Sequence, residues 1–279
     1  MGSVSPPAGR APSRSAFTFR GRRDVYRYAL LGLLQGLTEF LPVSSSGHLV
    51  LAQRLLGLDP PGVALEAVLH LATLAAVVVY FHRSLGQLAR GLISPAGGAE
   101  RRYIGSLILG TFPIAVVGYL FRESIEGAFA SPGTVGWMLL VTAAALGLAG
   151  WGARRARREE LRLGDALLVG LAQAVALLPG ASRSGLTISA GILLGVSPKQ
   201  ATRFSFLLAL PALLGAGLLT LLEAPPTLAP GEAVGLASAG LVALISGLVA
   251  IHFLLRLLRR LPWFSLYCLV LGLIVLTTA

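Results

Sequence analysis

The sequence has few charged residues and a single cysteine. Only 13% of its 279 residues are Asp, Glu, Lys or Arg, too few for the surface of a soluble globular domain of this length. The one cysteine, Cys268, excludes a disulfide bond within the chain. Acidic residues are scarcer than basic ones, 12 against 23, and the formal net charge is +11. No basic tract interleaved with aromatic residues accompanies that charge, so we expect no nucleic-acid partner.

The sequence is instead rich in long apolar runs. Hydrophobic residues account for 55% of the chain, and the mean hydropathy is +0.78. A helix needs about 20 apolar residues to cross a bilayer, and several runs reach that length. Six such runs lie at about residues 63–81, 103–121, 134–152, 200–222, 233–255 and 262–278. They predict an all-α polytopic membrane protein with six transmembrane helices.

The apolar runs belong to one predicted integral membrane domain, residues 25–279. The preceding residues, 1–24, are rich in Ser, Pro, Gly and Arg and contain no apolar core. Such a segment cannot bury enough surface to fold, so we expect a disordered basic tail.

Two further apolar segments carry polar residues in the middle. The first, residues 25–56, and the second, about 164–195, are each broken by proline, glycine and serine. Two short helical halves around a polar break predict a re-entrant helix hairpin, which is tolerated at membrane depth where the irregular backbone lines a protein cavity. For the first segment, a single kinked helix that spans the membrane is the alternative, and the sequence leaves it open.

The two broken segments resemble each other at an offset of 138 residues. The matched positions are Gly32 and Gly170, Gln35 and Gln173, Ser44 and Ser182, Ser46 and Ser184, and Gly47 and Gly185. This register predicts two repeat halves, about 25–153 and 163–279, each with one hairpin and three spans. Because three is odd, the halves would have opposite orientations, which is an inverted-topology repeat whose hairpins meet near the membrane midplane.

Arginine and histidine cluster at the ends of the apolar runs. The clusters lie at residues 82–90, 101–102, 154–158, 199–203 and 256–260. With six spans and two re-entrant hairpins, all of them fall on one side, which the positive-inside rule assigns to the cytoplasm. Both termini are then external. If both broken segments spanned the membrane, the N-terminus would move inside, so the charge pattern does not exclude that alternative, and the basic tail slightly favours it.

The first broken segment places an amide and a carboxylate on one helix face. Gln35 and Glu39 are four residues apart, so their side chains are neighbours. Such oxygens suit a divalent cation that also binds phosphate. Glu39 is equally a candidate general base, and a third interpretation is a structural carboxylate bonded to the amides of the hairpin turn.

The break itself contains three hydroxyls and an imidazole. Ser44, Ser45 and Ser46 lie where the second half-helix begins, so they are candidates both for helix caps and for an anion site. His48, on the first turn of that helix, can carry a proton or attack phosphorus.

The second break, PGASRSG, places Arg183 in a polar loop at predicted membrane depth. Its planar guanidinium suits two phosphate oxygens, and Ser182, Ser184 and Thr187 complete a predicted phosphate cradle. The alternative is an internal ion pair, for which Glu39 is one candidate partner. Facing each other, the two breaks would form a phosphoryl-transfer site at membrane depth, whose substrate carries its phosphate on a lipid.

The motifs QGLTEFLPVSSSGH and PGASRSG resemble those of the undecaprenyl-diphosphate phosphatases of the bacitracin-resistance type. The resemblance covers about residues 25–279. It implies a multi-pass enzyme of the bacterial plasma (inner) membrane that removes the terminal phosphate of a polyprenyl diphosphate, giving the lipid carrier used in peptidoglycan and cell-wall synthesis. It also implies a site open to the external, periplasmic face.

The resemblance further implies the roles of individual residues. Glu39, Ser45, His48 and Arg183 would form the catalytic core, Ser182 and Thr187 would help to bind phosphate, and activity would depend on Mg²⁺ or Ca²⁺. The family's first motif has two acidic residues or Gln followed by Glu, and this chain has the Gln35 form.

Several alternatives remain open at this point. Either Ser45 or His48 could be the nucleophile. A polyprenyl-phosphate carrier or flippase built on the same inverted repeat is the rival to an enzyme. The sequence allows a homodimer but does not determine the oligomeric state.

Overall fold

The computed structural model describes residues 22–56, 63–129, 131–223, 228 and 231–278. Within these ranges the chain consists of α-helices joined by turns, with one short 3-10 helix and no strand. The predicted all-α polytopic fold is confirmed. Of the predicted N-terminal tail, residues 1–21 lie outside the described residues.

The predicted apolar segments correspond closely to observed helices. The first broken segment forms α1 (Arg22–Phe40) and α2 (Ser45–Leu56), and the second forms α8 (Leu163–Val175) and α9 (Arg183–Leu193). The six predicted spans are α3 (Val63–Tyr80), α5 (Gly98–Leu120), α7 (Pro132–Gly152), α10 (Pro198–Glu223), α11 (Glu232–Arg256) and α12 (Leu261–Thr278). Five of these six are long and apolar enough to cross a membrane by themselves; α3 reaches that length only together with the helix that follows it.

Two helices were not predicted, α4 (His82–Ile93) and α6 (Arg122–Ala128). The axis of α4 is bent by 75° from that of α3. Its Leu85 and Leu88 pack against the main hydrophobic core while Arg83 and Arg90 are exposed. An amphipathic helix of this kind has no continuous apolar run, which is the feature that identified the other helices.

Helices α1, α3 and α11 run in the same direction. Near their N-terminal ends the Tyr28 hydroxyl of α1 donates to the Glu232 carboxylate of α11 at 2.7 Å. Ala64, at the start of α3, belongs to the same hydrophobic cluster as Tyr28. Further along all three helices, Gly247 packs against Phe40 and Ala76.

Helices α5, α8 and α10 run parallel to one another and opposite to the first set. Near the starts of α5 and α10, Tyr103 and Phe204 meet edge to face with ring centroids 5.8 Å apart. Gly110 then contacts Leu208 of α10 and lies beside Gly170 of α8.

The opposite direction of the two sets is visible where α3 and α10 pack together. Phe81, just after α3, contacts Phe206 near the start of α10 with ring centroids 6.2 Å apart. Leu71, earlier in α3, lies beside Gly217, later in α10.

These directions place the start of each broken segment at the same end of the molecule as the span that follows it. Helices α1 and α3 start at one end, and α8 and α10 start at the other. Each broken segment therefore enters and leaves the bundle at one end, which is the geometry of a re-entrant hairpin. Helices at matched repeat positions run in opposite directions, as an inverted-topology repeat requires; the repeat and its placement in a membrane remain predictions.

A cavity of about 810 Å³ lies at the end where α8 and α10 start. Arg102, Arg158 and Arg203 line it, so three of the predicted basic clusters share one end of the protein. Arg158 connects two segments at this end: its guanidinium forms an ion pair with Asp165 of α8 and donates to the carbonyl of Leu194, just after α9. The hydrogen bond with Asp165 raises the pKa of this already basic group.

Candidate active site

The two breaks meet through a buried ion pair between Glu39 and Arg183. Glu39 lies in the last turn of α1 and Arg183 in the first turn of α9. Arg183 Nη2 donates to Glu39 Oε1 at 2.6 Å. The Arg183 side chain is only 12% exposed and the Glu39 side chain only 7%. The internal pairing considered as an alternative for Arg183 is therefore observed, and it unites residues from both predicted repeat halves.

Glu39 is also the acceptor for a hydroxyl and an amide of the first broken segment. Ser45 Oγ donates to Glu39 Oε2 at 2.6 Å, and Gln35 Nε2 donates to the same oxygen at 3.1 Å. A hydroxyl hydrogen-bonded to a carboxylate is the arrangement in which a base can activate a nucleophile. The structure thus brings Gln35, Glu39, Ser45 and Arg183 into one cluster.

The residues predicted to hold a divalent cation are close together. The carboxamide oxygen Gln35 Oε1 is buried and has no hydrogen-bond partner among the described residues. Within the described residues, no group of three or more His, Cys, Asp or Glu side chains is placed to hold a metal ion. Gln35 and Glu39 therefore fit a cation that takes its remaining ligands from water and substrate, as Mg²⁺ commonly does.

The first serine of each break caps the helix that follows. The Gly47 N–H donates to Ser44 Oγ at 3.1 Å, and the Gly185 N–H donates to Ser182 Oγ at 3.1 Å. The hydroxyls satisfy amides that a helix N-terminus leaves without partners. The capping role considered for the serines is thus observed at matching positions of both segments, and a phosphate-binding role for Ser44 and Ser182 remains a prediction.

The last serine of each motif joins the two breaks. Ser46 Oγ accepts from the Gly180 N–H at 3.3 Å, and Ser184 Oγ donates to the Leu41 carbonyl at 3.2 Å. These bonds connect α2 to the second break and α9 to the first. Both hydroxyls lie where the breaks meet, although their roles towards phosphate remain predictions.

Thr187 lies behind Arg183. Its hydroxyl is within 2.6 Å of the Ser205 hydroxyl and 2.7 Å of the Arg183 carbonyl, and the residue is fully buried. Sequence reasoning did not identify Ser205, whose carbonyl also accepts a long, 3.5 Å bond from Arg183 Nη1. These contacts support the start of α9, and phosphate binding by Thr187 is a prediction without a contact of its own.

His48 is held by two partners outside the ion-pair cluster. Its Nδ1 lies 2.7 Å from the Ser44 carbonyl, and its Nε2 lies 2.6 Å from the Tyr267 hydroxyl. Among the described residues, no hydrogen bond joins His48 to Glu39 or Ser45. No sequence pattern indicated Tyr267, which sits in the last apolar run and reaches His48 only through packing of α12.

Ser44 has an uncommon backbone conformation. Its φ is 72°, the only positive value for a non-glycine residue in the described part of the chain. A left-handed serine costs roughly 1 to 3 kcal/mol and persists only where the surroundings impose it. The carbonyl of this residue accepts from the His48 backbone N–H at 3.2 Å and lies 2.7 Å from His48 Nδ1, so the uncommon conformation occurs at a residue that contacts the imidazole.

The second repeat half has a glutamine where the first has Gln35. Gln173 is fully buried, and both polar atoms of its side chain have no partner among the described residues. At an offset of 138 residues its carboxylate partner would be Leu177, so the acidic group is absent from this half. The two predicted halves therefore contribute different groups to the ion pair, the carboxylate of Glu39 from the first and the guanidinium of Arg183 from the second.

Comparisons with known proteins agree with the motifs. The family model described as bacitracin resistance protein BacA matches residues 28–274. A protein named undecaprenyl-diphosphatase from Syntrophotalea carbinolica is 45% identical over 249 residues, covering 87% of this chain and 94% of the relative. Proteins of the same name from Nitrosococcus oceani and Korarchaeum cryptofilum are 42% and 41% identical, covering 89% and 91% of this chain and 97% and 99% of the relatives.

Proposed function

The chain belongs to the family of the bacitracin resistance protein BacA, and from that membership we propose that it hydrolyses undecaprenyl diphosphate to undecaprenyl phosphate and inorganic phosphate. This activity recycles the lipid carrier for peptidoglycan and cell-wall synthesis and confers resistance to bacitracin. The observation that carries the proposal is the contact of Ser45 with Glu39, itself paired with Arg183.

Ser45 is the proposed nucleophile. As Ser45 Oγ attacks the terminal phosphorus, its proton passes to Glu39 Oε2, 2.6 Å away. The bond between the terminal phosphorus and the bridging oxygen breaks, and His48 gives a proton to the leaving lipid phosphate. The products of this step are phosphoserine, protonated Glu39, neutral His48 and the lipid monophosphate.

Water completes the reaction. His48 takes a proton from the water as its oxygen attacks the phosphoserine, and Ser45 recovers a proton from Glu39. Inorganic phosphate leaves, and all three side chains return to their starting protonation states.

Arg183 is proposed to neutralise the diphosphate. Its Nη2 is bonded to Glu39, while among the described residues its Nη1 has only the 3.5 Å contact with the Ser205 carbonyl. That second nitrogen can therefore bind a phosphate oxygen while Nη2 holds the Glu39 carboxyl group in place. Charge stabilisation of this kind is the main contribution of a protein to phosphoryl transfer.

A divalent cation, Mg²⁺ or Ca²⁺, forms part of the proposal. Gln35 Oε1 and the Glu39 carboxylate are the protein oxygens that would hold it. When bound, the ion would draw negative charge from the phosphate oxygens and so favour attack by an oxygen nucleophile.

The protein is a multi-pass membrane protein, and we place it in the bacterial plasma membrane with its site open to the external face. Support comes from the shared direction of α1 and α3 and from Arg102, Arg158 and Arg203 at the opposite end, which the positive-inside rule assigns to the cytoplasm. All the proposed site residues come from one chain, and a homodimer stays a prediction from the sequence.

The rival function, a carrier or flippase, is not supported by the comparisons, since the relatives are named for hydrolysis. A carrier function also does not explain the hydrogen bond from Ser45 to Glu39, because binding a lipid phosphate needs no activated hydroxyl.

The proposed activity is tested with the purified protein in detergent, where no membrane gradient exists. Incubation with undecaprenyl diphosphate and Mg²⁺ should release inorganic phosphate and undecaprenyl phosphate in equal amounts. Binding of the lipid without phosphate release would overturn the proposal and favour the carrier.

A further inference from the structure

Tyr267 contacts His48 both through a hydrogen bond and through ring stacking. The Tyr267 hydroxyl lies 2.6 Å from His48 Nε2, and the two rings are stacked with centroids 5.7 Å apart and planes 9° apart. The hydrogen bond fixes the direction of the ring, and the stacking fixes its rotation. We propose that Tyr267 is a positioning residue that holds His48 ready for proton transfer, an inference that rests on the proposed function.

The hydrogen bonds determine which nitrogen of His48 exchanges a proton. The Ser44 carbonyl, 2.7 Å from Nδ1, can only accept, so Nδ1 carries a hydrogen in both protonation states. A proton can therefore enter or leave the imidazole only at Nε2. That is the nitrogen in contact with Tyr267.

A phenol suits both states of that nitrogen. The Tyr267 hydroxyl donates to Nε2 of the neutral ring and accepts from Nε2–H of the protonated ring, by rotation of its own hydrogen alone. The proton that His48 exchanges with the substrate passes through this hydroxyl, which gives its own hydrogen to the leaving phosphate as it takes the hydrogen from Nε2, so the imidazole needs no movement as its charge changes. A group that is held in place in both states lowers the reorganisation required in the transition state.

The position of Tyr267 follows from the packing of α12 against the first break. The neighbouring Cys268 is buried, and its thiol lies 3.5 Å from the Pro42 carbonyl. Tyr267 itself is 46% exposed. Cys268 thus holds α12 against the break, and the preceding residue, Tyr267, contacts His48 at an accessible edge of the site.

The chain offers a matched control in a second tyrosine and histidine pair. The Tyr80 hydroxyl lies 3.4 Å from His252 Nδ1, with ring centroids 6.4 Å apart. Neither residue belongs to the proposed site. Replacing tyrosine by phenylalanine removes one hydroxyl in either pair and leaves the ring in place.

The first experiment compares Tyr267→Phe with Tyr80→Phe in phosphate release from undecaprenyl diphosphate. Loss of general acid–base assistance typically lowers the rate by about 10² to 10⁴, so we expect loss of its positioning residue to lower kcat by about tenfold with little change in KM. Tyr80→Phe should match the wild type. Equal kcat values for Tyr267→Phe and the wild type would overturn the inference.

A double-mutant cycle separates positioning from packing. In a His48→Ala background, Tyr267→Phe should cause no further loss, because the residue it positions is absent. The same fold-loss in both backgrounds would show that Tyr267 acts independently of His48 and would overturn the inference.

A third measurement is independent of catalysis. Diethyl pyrocarbonate modifies unprotonated imidazole nitrogens, and mass spectrometry of the full chain can follow His48 beside the chain's three other histidines. We expect Tyr267→Phe to speed modification of His48 several-fold and Tyr80→Phe to leave it unchanged. An unchanged rate at His48 in Tyr267→Phe would contradict the inference.

The experiments distinguish a failure of the proposed function from a failure of the inference about Tyr267. Absence of phosphate release from the wild type overturns the proposed function, while the modification experiment still tests the contact. A fully active wild type with an equally active Tyr267→Phe variant overturns the positioning role alone.

Discussion

The Ser45 hydroxyl lies 2.6 Å from Glu39 Oε2. A hydroxyl and the carboxylate that can accept its proton are thus in contact before any substrate arrives, across a six-residue separation that includes the break between α1 and α2. The break turns the chain so that the first residue of the second half-helix reaches the last turn of the first.

Replacement of Ser45 tests the nucleophile directly. Ser45→Ala should lower kcat for undecaprenyl diphosphate by at least about a thousandfold, since removal of a covalent nucleophile leaves only binding and charge stabilisation. The control is Ser189→Ala, which removes a buried hydroxyl that has no partner among the described residues and should be nearly neutral. A phosphoenzyme trapped on a residue other than Ser45 would contradict the assignment.

The Glu39 and Arg183 pair should show strong coupling in stability. Arg183→Met leaves a buried carboxylate without its cation, which should destabilise the protein by about 3 to 5 kcal/mol and abolish turnover. In the double variant with Glu39→Gln, much of the stability should return while activity stays absent. Thermal unfolding in detergent measures the first effect and phosphate release the second; additive losses of stability would argue against a buried pair.

The crossing of α5 and α8 depends on close backbone contact. A Cβ at Gly170 would lie 2.4 Å from the Gly110 carbonyl oxygen, so Gly170→Ala should lower stability by about 1 to 3 kcal/mol. Gly164→Ala on the same helix meets nothing within 4 Å and should be neutral or slightly stabilising. Equal melting temperatures of the two variants would show that the helices are not in backbone contact.

The cation proposal predicts different roles for the two matched glutamines. Gln35→Leu should raise the Mg²⁺ concentration needed for half-maximal activity by about 10-fold or more, while Gln173→Leu should leave it unchanged. Removal of divalent cations with a chelator should abolish phosphate release by the wild type, and added Mg²⁺ should restore it. Activity that persists in chelator would refute the need for a cation.

The location of the N-terminal tail distinguishes a re-entrant from a spanning first segment. In a background with Cys268→Ala the chain has no cysteine, so Ser13→Cys can be labelled selectively. A membrane-impermeant thiol reagent added to intact cells should label this position if α1 enters from outside. Labelling only after disruption of the membrane would show that the first segment spans.

The spans and the two breaks could be predicted from sequence because long apolar runs and their interruptions are local features. The amphipathic α4 was missed for the same reason, since its apolar side chains form no run. The partners of Glu39 were harder to predict. Arg183 was only an alternative partner because it is 144 residues away, and Tyr267 was not anticipated because its contact with His48 joins residues 219 apart. Such contacts depend on how the helices pack, which no local pattern specifies.

The separation of Glu39 from Arg183 also has a consequence for biosynthesis. A ribosome adds roughly 5 to 20 residues per second, so the 144 residues between the two charges take on the order of ten seconds to synthesise. During that interval the first hairpin lacks Arg183, the partner of Glu39, and an unpaired carboxylate in hydrocarbon is unfavourable. The nascent first half must therefore keep Glu39 protonated or outside the lipid until the second half emerges. The first hairpin then reaches its final position only after the second half of the chain has been inserted.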